Sequence, residues 1–390
     1  MKQGGWPSLT LVYLYGVVSA DSLTKAIPLQ AHISDLPGAS PALFGLFISM
    51  MAILPALFGT LSGAAIDRLG ARPALILAAL IGALVNGLYL IAPSFLPFQI
   101  IRVLEGAVPL LTYAAAPALM IATSAPQRRS GAMALWSSYT PVGTSLGLLI
   151  SAAFAAGAQW RFAYLTHGAI FLTLALLGVA LPKPAAAGAA SAAPRRSILA
   201  LLKAPEGRAP LRLASAFGVL ILLGLGVSVV MPPYLARHYG MGIGTAASIM
   251  AVANVVMILG SAASGVMLSR GVAPARWFLG LAVVGTVAAF GVFAPVTQPA
   301  LTLAALVIWL ICTGAAMAVL ASLLPKVAGP EHRASAAGLL SQTGALTTFV
   351  TAPLWLAVLA LDQWLALFLI ILAGWGISAL LLPPTRSDLA

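Results

Sequence analysis

Long apolar runs that follow one another, separated by short turns, constrain this chain more than any other feature of its sequence. Each has about twenty residues or more, which is enough for a helix to cross a bilayer. Only 7% of the residues are charged, whereas about a quarter are charged in soluble domains. The twelve runs are 8–33, 41–66, 73–92, 95–123, 130–158, 161–181, 210–236, 243–268, 274–294, 299–325, 333–359 and 363–383. They predict an all-α polytopic membrane protein with twelve transmembrane helices.

Lysine and arginine residues between these runs and at their ends fall almost entirely on one side of the predicted membrane. If the N-terminus is cytoplasmic, sixteen lie on the cytoplasmic side and only Arg161 and Arg237 lie outside. By the positive-inside rule, both termini are therefore predicted to be cytoplasmic. The short loops and this charge pattern favour a bacterial inner (plasma) membrane.

The runs divide into two halves of six, 1–182 and 210–390, around an Ala/Pro-rich stretch at 183–209 that carries five bases. This stretch is interpreted as a cytoplasmic linker. Similar residues recur at an offset of about 204, as in Pro126-Gln127-Arg128-Arg129 and Pro330-Glu331-His332-Arg333. Parallel six-helix repeats predict two pseudo-symmetric bundles, with a binding site near the membrane midplane between them.

Two predicted helices carry charges deep inside the apolar run: Asp21 and Lys25 in the first, and Arg102 and Glu105 in the fourth. Such charges are costly unless they are paired or reach water, and they usually have a function. The spacings of four and three place each pair on one helix face, and a net-neutral cluster of all four is possible. One interpretation is two structural ion pairs that persist because removing a partner is costly. The other is that one carboxylate carries a proton.

The predicted second-half helices are uncharged at the matching depth and carry hydroxyl, amide and aromatic groups instead. One ionic wall and one neutral wall would suit a small amphipathic substrate. The candidate substrate-binding residues are Asp21, Lys25, Arg102, Glu105, Tyr139, Tyr234, Asn254, Trp309 and Gln342. The four histidines, His167 among them, are scattered singly and are interpreted as interfacial or structural.

Three stretches make the chain resemble the major facilitator superfamily over nearly its full length, and its bacterial drug/proton antiporter branch in particular. Gly63-Ala64-Ala65-Ile66-Asp67-Arg68-Leu69-Gly70-Ala71-Arg72 is similar to motif A, and Arg102-Val103-Leu104-Glu105-Gly106 is similar to motif B. Thr140-Pro141-Val142-Gly143-Thr144-Ser145-Leu146-Gly147 partly matches motif C, with Thr-Pro in place of the usual Gly-Pro. Asp21 followed by Ile27-Pro28 resembles the first-helix pattern of the antiporters, with shorter spacing and an unexpected Lys25.

The resemblance implies the fold of that superfamily and roles for the motif residues. Asp67 would latch the cytoplasmic side shut in the outward-facing state, in a conformational gate formed with Gly63, Arg68, Gly70 and Arg72. Pro141, Gly143 and Gly147 would form the glycine-rich feature of the fifth helix. Since related antiporters place a motif B arginine beside a titratable acid, we expect Asp21 first, and Glu105 second, to carry the proton, with Arg102 tuning it.

The sequence thus predicts a proton-coupled secondary transporter that exports a small amphipathic compound by alternating access. A first alternative is an importer of a small organic anion, with Lys25 and Arg102 as its ligands. A second is a membrane sensor or assembly factor that does not transport. We expect no enzyme activity, since the sequence has no nucleophile–base set and no phosphate-binding loop. The expected partners are the substrate, protons and the bilayer, with no cofactor, metal or nucleic acid, and the expected state is a monomer.

Overall fold

A computed structural model describes residues 5–125, 128–182, 208–295, 298–327 and 333–383. Within these ranges all regular structure is helical, in seventeen α-helices and two 3₁₀ turns at Ile27–Leu29 and Gly178–Ala180. The α-helices are α1 (Trp6–Asp21), α2 (Gln30–Ser34), α3 (Pro41–Met50), α4 (Ile53–Leu69), α5 (Ala71–Ile91), α6 (Phe95–Glu105), α7 (Ala107–Thr123), α8 (Arg129–Ser137), α9 (Tyr139–Ala152), α10 (Phe162–Leu177), α11 (Arg208–Tyr239), α12 (Ile243–Val255), α13 (Met257–Ser269), α14 (Pro274–Phe293), α15 (Pro299–Val327), α16 (Arg333–Ala360) and α17 (Trp364–Leu380).

Nine helical stretches of the described chain are long and apolar enough to cross a membrane. The other three predicted runs are present but shorter or interrupted. Run 8–33 breaks after Asp21, run 130–158 is split between α8 and α9, and run 363–383 forms a helix of 17 residues. The predicted all-α polytopic architecture is therefore confirmed. The helix is also interrupted in runs 41–66, 95–123 and 243–268, so an unbroken helix over these five runs is not what the structure shows.

Prolines account for four of the interruptions. A proline has no N–H to donate, and its ring clashes with the carbonyl four residues earlier. The helices stop at 22–26, 51–52, 106 and 138, just before Pro28, Pro55, Pro109 and Pro141. Non-helical backbone at membrane depth is tolerated only where protein or a water-filled cavity encloses it. Accordingly, residues 19–22 and 24–29 are all buried.

Contacts group the chain into two compact units, one of residues 1–190 with 231–236 and 240–251, the other of residues 191–230 with 237–239 and 252–390. The first unit has an apolar core to which α1, α5, α7 and α10 all contribute. Leu9, Leu75, Leu119 and Phe171 are among its buried side chains. The domain boundaries taken from the sequence, at 182 and 210, remain a prediction.

Within the second unit, α15 packs against α13 and α14, and α14 also packs against α17. Two buried tryptophans make further contacts in this unit, one between α14 and α17 and one between α11 and α16. The Trp375 ring meets Phe278 edge-on, with 5.9 Å between ring centroids. The Trp355 indole N–H donates to the Leu222 carbonyl over 2.9 Å. Both contacts join helices that are distant in the sequence.

Candidate functional site

A buried ionic network in the first unit joins α5, α6 and the non-helical segment after α1 through Glu105, the last residue of α6. Its Oε1 accepts a hydrogen bond from the Lys25 ammonium. Its Oε2 accepts from the Arg102 guanidinium at 2.8 Å and from the Tyr89 hydroxyl at 3.1 Å. Lys25, Arg102 and Glu105 have no exposed surface. Buried charges of this kind must be paired, since an unpaired one is very costly.

Helix interruptions supply two parts of this network. Lys25 lies in the non-helical segment after α1, where its Nζ also donates to Asn86 Oδ1 at 2.6 Å. Arg102 donates from its other terminal nitrogen to the Ile48 carbonyl at 3.3 Å. In an uninterrupted helix that carbonyl would accept from the Ala52 N–H, which bonds to Ser49 instead. The break between α3 and α4 therefore frees an acceptor for the arginine.

Aromatic rings surround both cations. The Lys25 ammonium lies 5.5 Å from the Tyr89 ring centroid and 5.4 Å from that of Tyr164, and the Arg102 guanidinium lies 5.4 Å from that of Phe47. Cations at these distances are attracted to the ring face, the more so when they are shielded from water. The rings therefore both stabilise the charges and separate them from solvent.

Asp21 belongs to a second network, which the sequence did not indicate. Its Oδ2 lies 3.1 Å from His167 Nδ1, and the other ring nitrogen of His167 lies 3.2 Å from the Ser151 hydroxyl. Helix α1 ends at Asp21, but the Lys25 N–H still donates to the Asp21 carbonyl over 3.1 Å, as in a helical turn, while the two side chains bond to different partners. The four charged residues form two adjoining networks, with Asp21 bonded to His167 and Lys25 to Glu105.

His167, interpreted from the sequence as interfacial or structural, is hydrogen-bonded on both ring nitrogens in the structure. Its carboxylate partner is 146 residues away in the sequence. A contact between two membrane helices at that separation leaves no local pattern, so the chain offered no signal for it. Asn86 and Tyr89 were missed for the same reason, since both reach the ionic network from α5.

The motif C glycines lie where α9 packs against the end of α1. A methyl group at Gly143 would come within 2.3 Å of the Val17 carbonyl oxygen, and one at Gly147 within 2.2 Å of that of Asp21. The Thr24 hydroxyl also donates to the Thr144 carbonyl over 2.7 Å. Pro141 lies in the first turn of α9. These glycines therefore permit the close approach that positions the backbone of Asp21.

Part of motif A is visible at the junction of α4 and α5. Gly70 joins these helices with φ of +89°, a backbone conformation that side chains disfavour. Arg72 donates to the Val179 carbonyl at 2.9 Å and so contacts the 3₁₀ turn that follows α10. Arg68 is exposed. Gly63 and Asp67 lie outside the residues whose side chains are described. The latch formed by Asp67 therefore stays a prediction.

Two predicted substrate-binding residues of the second unit are buried with unused donors. The Asn254 amide contacts the Ser228 hydroxyl at 3.2 Å. Among the described residues, Asn254 Nδ2 and Trp309 Nε1 have no hydrogen-bond partner. Helix α11 meets α15 where Gly224 faces Thr313. Ser228 is four residues after Gly224, and Trp309 is four residues before Thr313. Because the two helices are predicted to run in opposite directions, Ser228 and Trp309 fall at the same level along them.

The remaining predicted contacts are placed separately. Tyr139 opens α9 and stacks on Trp136 at 4.3 Å. Tyr234 is buried on α11, and Gln342 is half-buried on α16. Their roles in binding stay predictions.

Comparisons with known proteins agree on the architecture. The family model described as Major Facilitator Superfamily matches residues 11–352. A crystal structure of a bacterial homolog of the human lysosomal transporter Spinster, inward-facing and occupied, superposes with a TM-score of 0.73 at 17% identity, covering 96% of this chain and 93% of that one. The human organic anion transporter MFSD10 (TETRAN) gives 0.72 at 18% identity, covering 96% and 98%. At such identities the likeness is one of fold. A comparison with curated protein sequences finds no match.

Proposed function

The chain belongs to the Major Facilitator Superfamily, and from that premise we propose that it is a proton-coupled secondary transporter exporting a small amphipathic compound by alternating access. Transport of a small molecule across a membrane follows from the family and the multi-pass architecture. Proton coupling, direction and substrate class are the proposed part. In this proposal the protein acts as a monomer in a bacterial inner membrane, with both termini cytoplasmic and without a cofactor.

The observation that carries the proposal is a buried carboxylate, Asp21, paired with an imidazole rather than with a cation. Intramembrane acids of this kind mark proton pathways in pumps and transporters. Glu105 is less suited, because its oxygens already accept three donors, two of them cationic. A proton there would have to compete with two cations for the same carboxylate. One proton moving down 100 mV supplies about 2.3 kcal/mol, enough to drive a gradient of a few tens-fold.

The polar groups of the second unit support the substrate class. Asn254 and Trp309 offer uncharged donors in a buried, largely apolar setting. A ligand oxygen that accepted from them would remove the penalty of an unpaired donor. A compound with an apolar body and a few polar atoms fits such groups.

Transport by reconstituted protein tests the proposal, after a thermal-stability screen has identified a substrate. Ligands that bind the folded state raise its apparent stability. We expect Asp21→Asn to abolish accumulation driven by a pH gradient while preserving substrate exchange, since only the proton step needs an ionisable group. Asp362→Asn, which changes an exposed carboxylate, is the matched control. Intact proton-driven accumulation in Asp21→Asn would refute the assignment.

Import of a small organic anion remains a second candidate. It is favoured by the two cations, Lys25 and Arg102, that share a single carboxylate, Glu105. A substrate carboxylate would take the place of Glu105 as their partner. One solved structure of the same fold is titled an organic anion transporter. Stabilisation by organic anions, rather than by lipophilic cations or neutral compounds, would put this candidate first.

A further inference from the structure

We propose that the proton site is a carboxylate–imidazole pair, in which His167 receives a proton at one ring nitrogen and passes another to Asp21. This inference rests on the proposed proton coupling and names the partner that the coupling needs. It makes His167 a positioning and relay residue, and it gives Ser151 the task of holding Nε2, by donating to it while Asp21 is ionised and accepting from it once Nε2 is protonated.

The distances define the route. Asp21 Oδ2 and His167 Nδ1 are 3.1 Å apart, and His167 Nε2 and the Ser151 hydroxyl are 3.2 Å apart. All three residues have 1% or less of their surface exposed. With both nitrogens engaged, the ring is held in one orientation, so that it bridges the hydroxyl and the carboxylate.

The chemistry of the pair follows from its hydrogen bonds. While Asp21 is ionised, the neutral imidazole carries its proton on Nδ1 and donates it to the carboxylate, and Ser151 donates to Nε2. A proton arriving at Nε2 lets the Nδ1 proton move to Asp21 Oδ2. The result is a neutral carboxylic acid and an imidazole with its proton on Nε2. One proton has been gained, and release runs the same steps backwards.

Several ionisable groups lie near the pair, and the charged ones among them are bonded to other residues. From the segment after α1, Lys25 interacts electrostatically with Asp21 but is bonded to Glu105, which Arg102 and Tyr89 also hold. From α7, Tyr113 interacts electrostatically with Asp21.

The ionisable groups on α10, which carries His167, and on the helices that face it also contact other residues. Tyr15 of α1 donates to the Leu174 carbonyl of α10. Arg161, just before α10, donates to the Leu90 carbonyl over 2.7 Å, and Tyr164 lies on the Lys25 side, 5.4 Å from that ammonium. Tyr139 of α9 stacks on Trp136. None of the variants below replaces these residues.

Nitrogen-15 NMR of the histidine-labelled full chain in lipid bilayers tests the proposal. The chain has four histidines, so His167 is assigned by the signals that His167→Gln removes. We expect the Nδ1–H form at high pH and a switch to the Nε2–H form on acidification. A carboxylic acid infrared band, absent in Asp21→Asn, should appear over the same pH range, because coupled groups titrate as a pair.

Two variants decide the outcome. Asp21→Asn should abolish the tautomer switch, whereas a switch that persists in it would overturn the relay. Ser151→Ala should shift the Nε2 resonance of His167 at high pH, because that nitrogen then lacks its hydrogen-bond donor, while the tautomer switch persists. Ser145→Ala, on the same helix but bonded to the Pro141 carbonyl, should leave the resonance unchanged. If Ser151→Ala behaves like Ser145→Ala, the hydrogen bond from Ser151 to Nε2 is wrong.

These readouts need neither substrate nor transport. An intact switch in a protein without proton-driven transport would refute the proposed function and leave the proton site standing. Proton-driven transport with a single, unchanging His167 tautomer would refute the proton site and leave the proposed function standing.

Discussion

Replacing Gly147 by alanine should destabilise the protein through a clash that the geometry defines. The added methyl would lie 2.2 Å from the Asp21 carbonyl oxygen and 2.7 Å from the Thr24 hydroxyl. Carbon and carbonyl oxygen need about 3.3 Å, so α9 would have to move away from α1 by about 1 Å. Overpacking of this kind costs about 1–3 kcal/mol, while the higher helix propensity of alanine returns up to about 1 kcal/mol.

Gly87→Ala isolates the clash. Gly87 is also inside a helix, α5, but nothing lies within 4 Å of the position of an added methyl. Both variants gain the same helix propensity, so the difference in their free energies of unfolding, measured in mixed detergent micelles, gives the overpacking contribution alone. We expect Gly147→Ala to be less stable than Gly87→Ala by about 1–3 kcal/mol. Equal stability would refute the close packing of α9 against Asp21.

Two further substitutions test the buried groups. Lys25→Met should lower the free energy of unfolding by about 3–5 kcal/mol, because it leaves Glu105 buried with one cation fewer. Lys326→Met, at an exposed position, is the control and should change the free energy of unfolding by less than about 0.5 kcal/mol. A loss in Lys25→Met as small as in the control would argue against the ionic network. Trp309→Phe should keep or raise stability, since it removes a buried donor that lacks a partner, and should weaken binding of an oxygen-bearing substrate about two- to twelvefold in a titration. Trp355→Phe, which removes a hydrogen bond to the Leu222 carbonyl, should lose about 0.5–1.5 kcal/mol, so a Trp309 variant equally destabilised would contradict the unpaired donor.

The membrane architecture was predictable because apolar length and charge placement are local properties of the sequence. The positions of the helix ends were less accessible. Pro28 and Pro141 interrupt their helices, yet Pro117, Pro232 and Pro353 lie inside helices that continue. Whether neighbouring groups stabilise a kinked helix or a broken one depends on packing, which a single sequence does not specify.

In the candidate site, too, local features were predictable from the sequence and contacts between distant segments were not. The buried charges were identifiable as unusual residues in apolar runs, and the link from Arg102 to Glu105 follows from a spacing of three. Their other partners come from distant segments, as with Asn86 for Lys25 and His167 for Asp21. The motif C glycines were recognised by resemblance alone, and the structure supplies the physical reason for them in the Asp21 carbonyl.

The contact from Arg102 to the Ile48 carbonyl has a consequence for how this protein tolerates change. The acceptor belongs to the main chain, so any residue that preserves the break between α3 and α4 presents the same oxygen at position 48. Side-chain scanning would therefore report position 48 as permissive and Arg102 as sensitive, although the two are directly bonded. Covariation between the two positions would carry no trace of the bond either. An amide-to-ester replacement at the peptide bond that follows Ile48 would weaken this acceptor without altering any side chain.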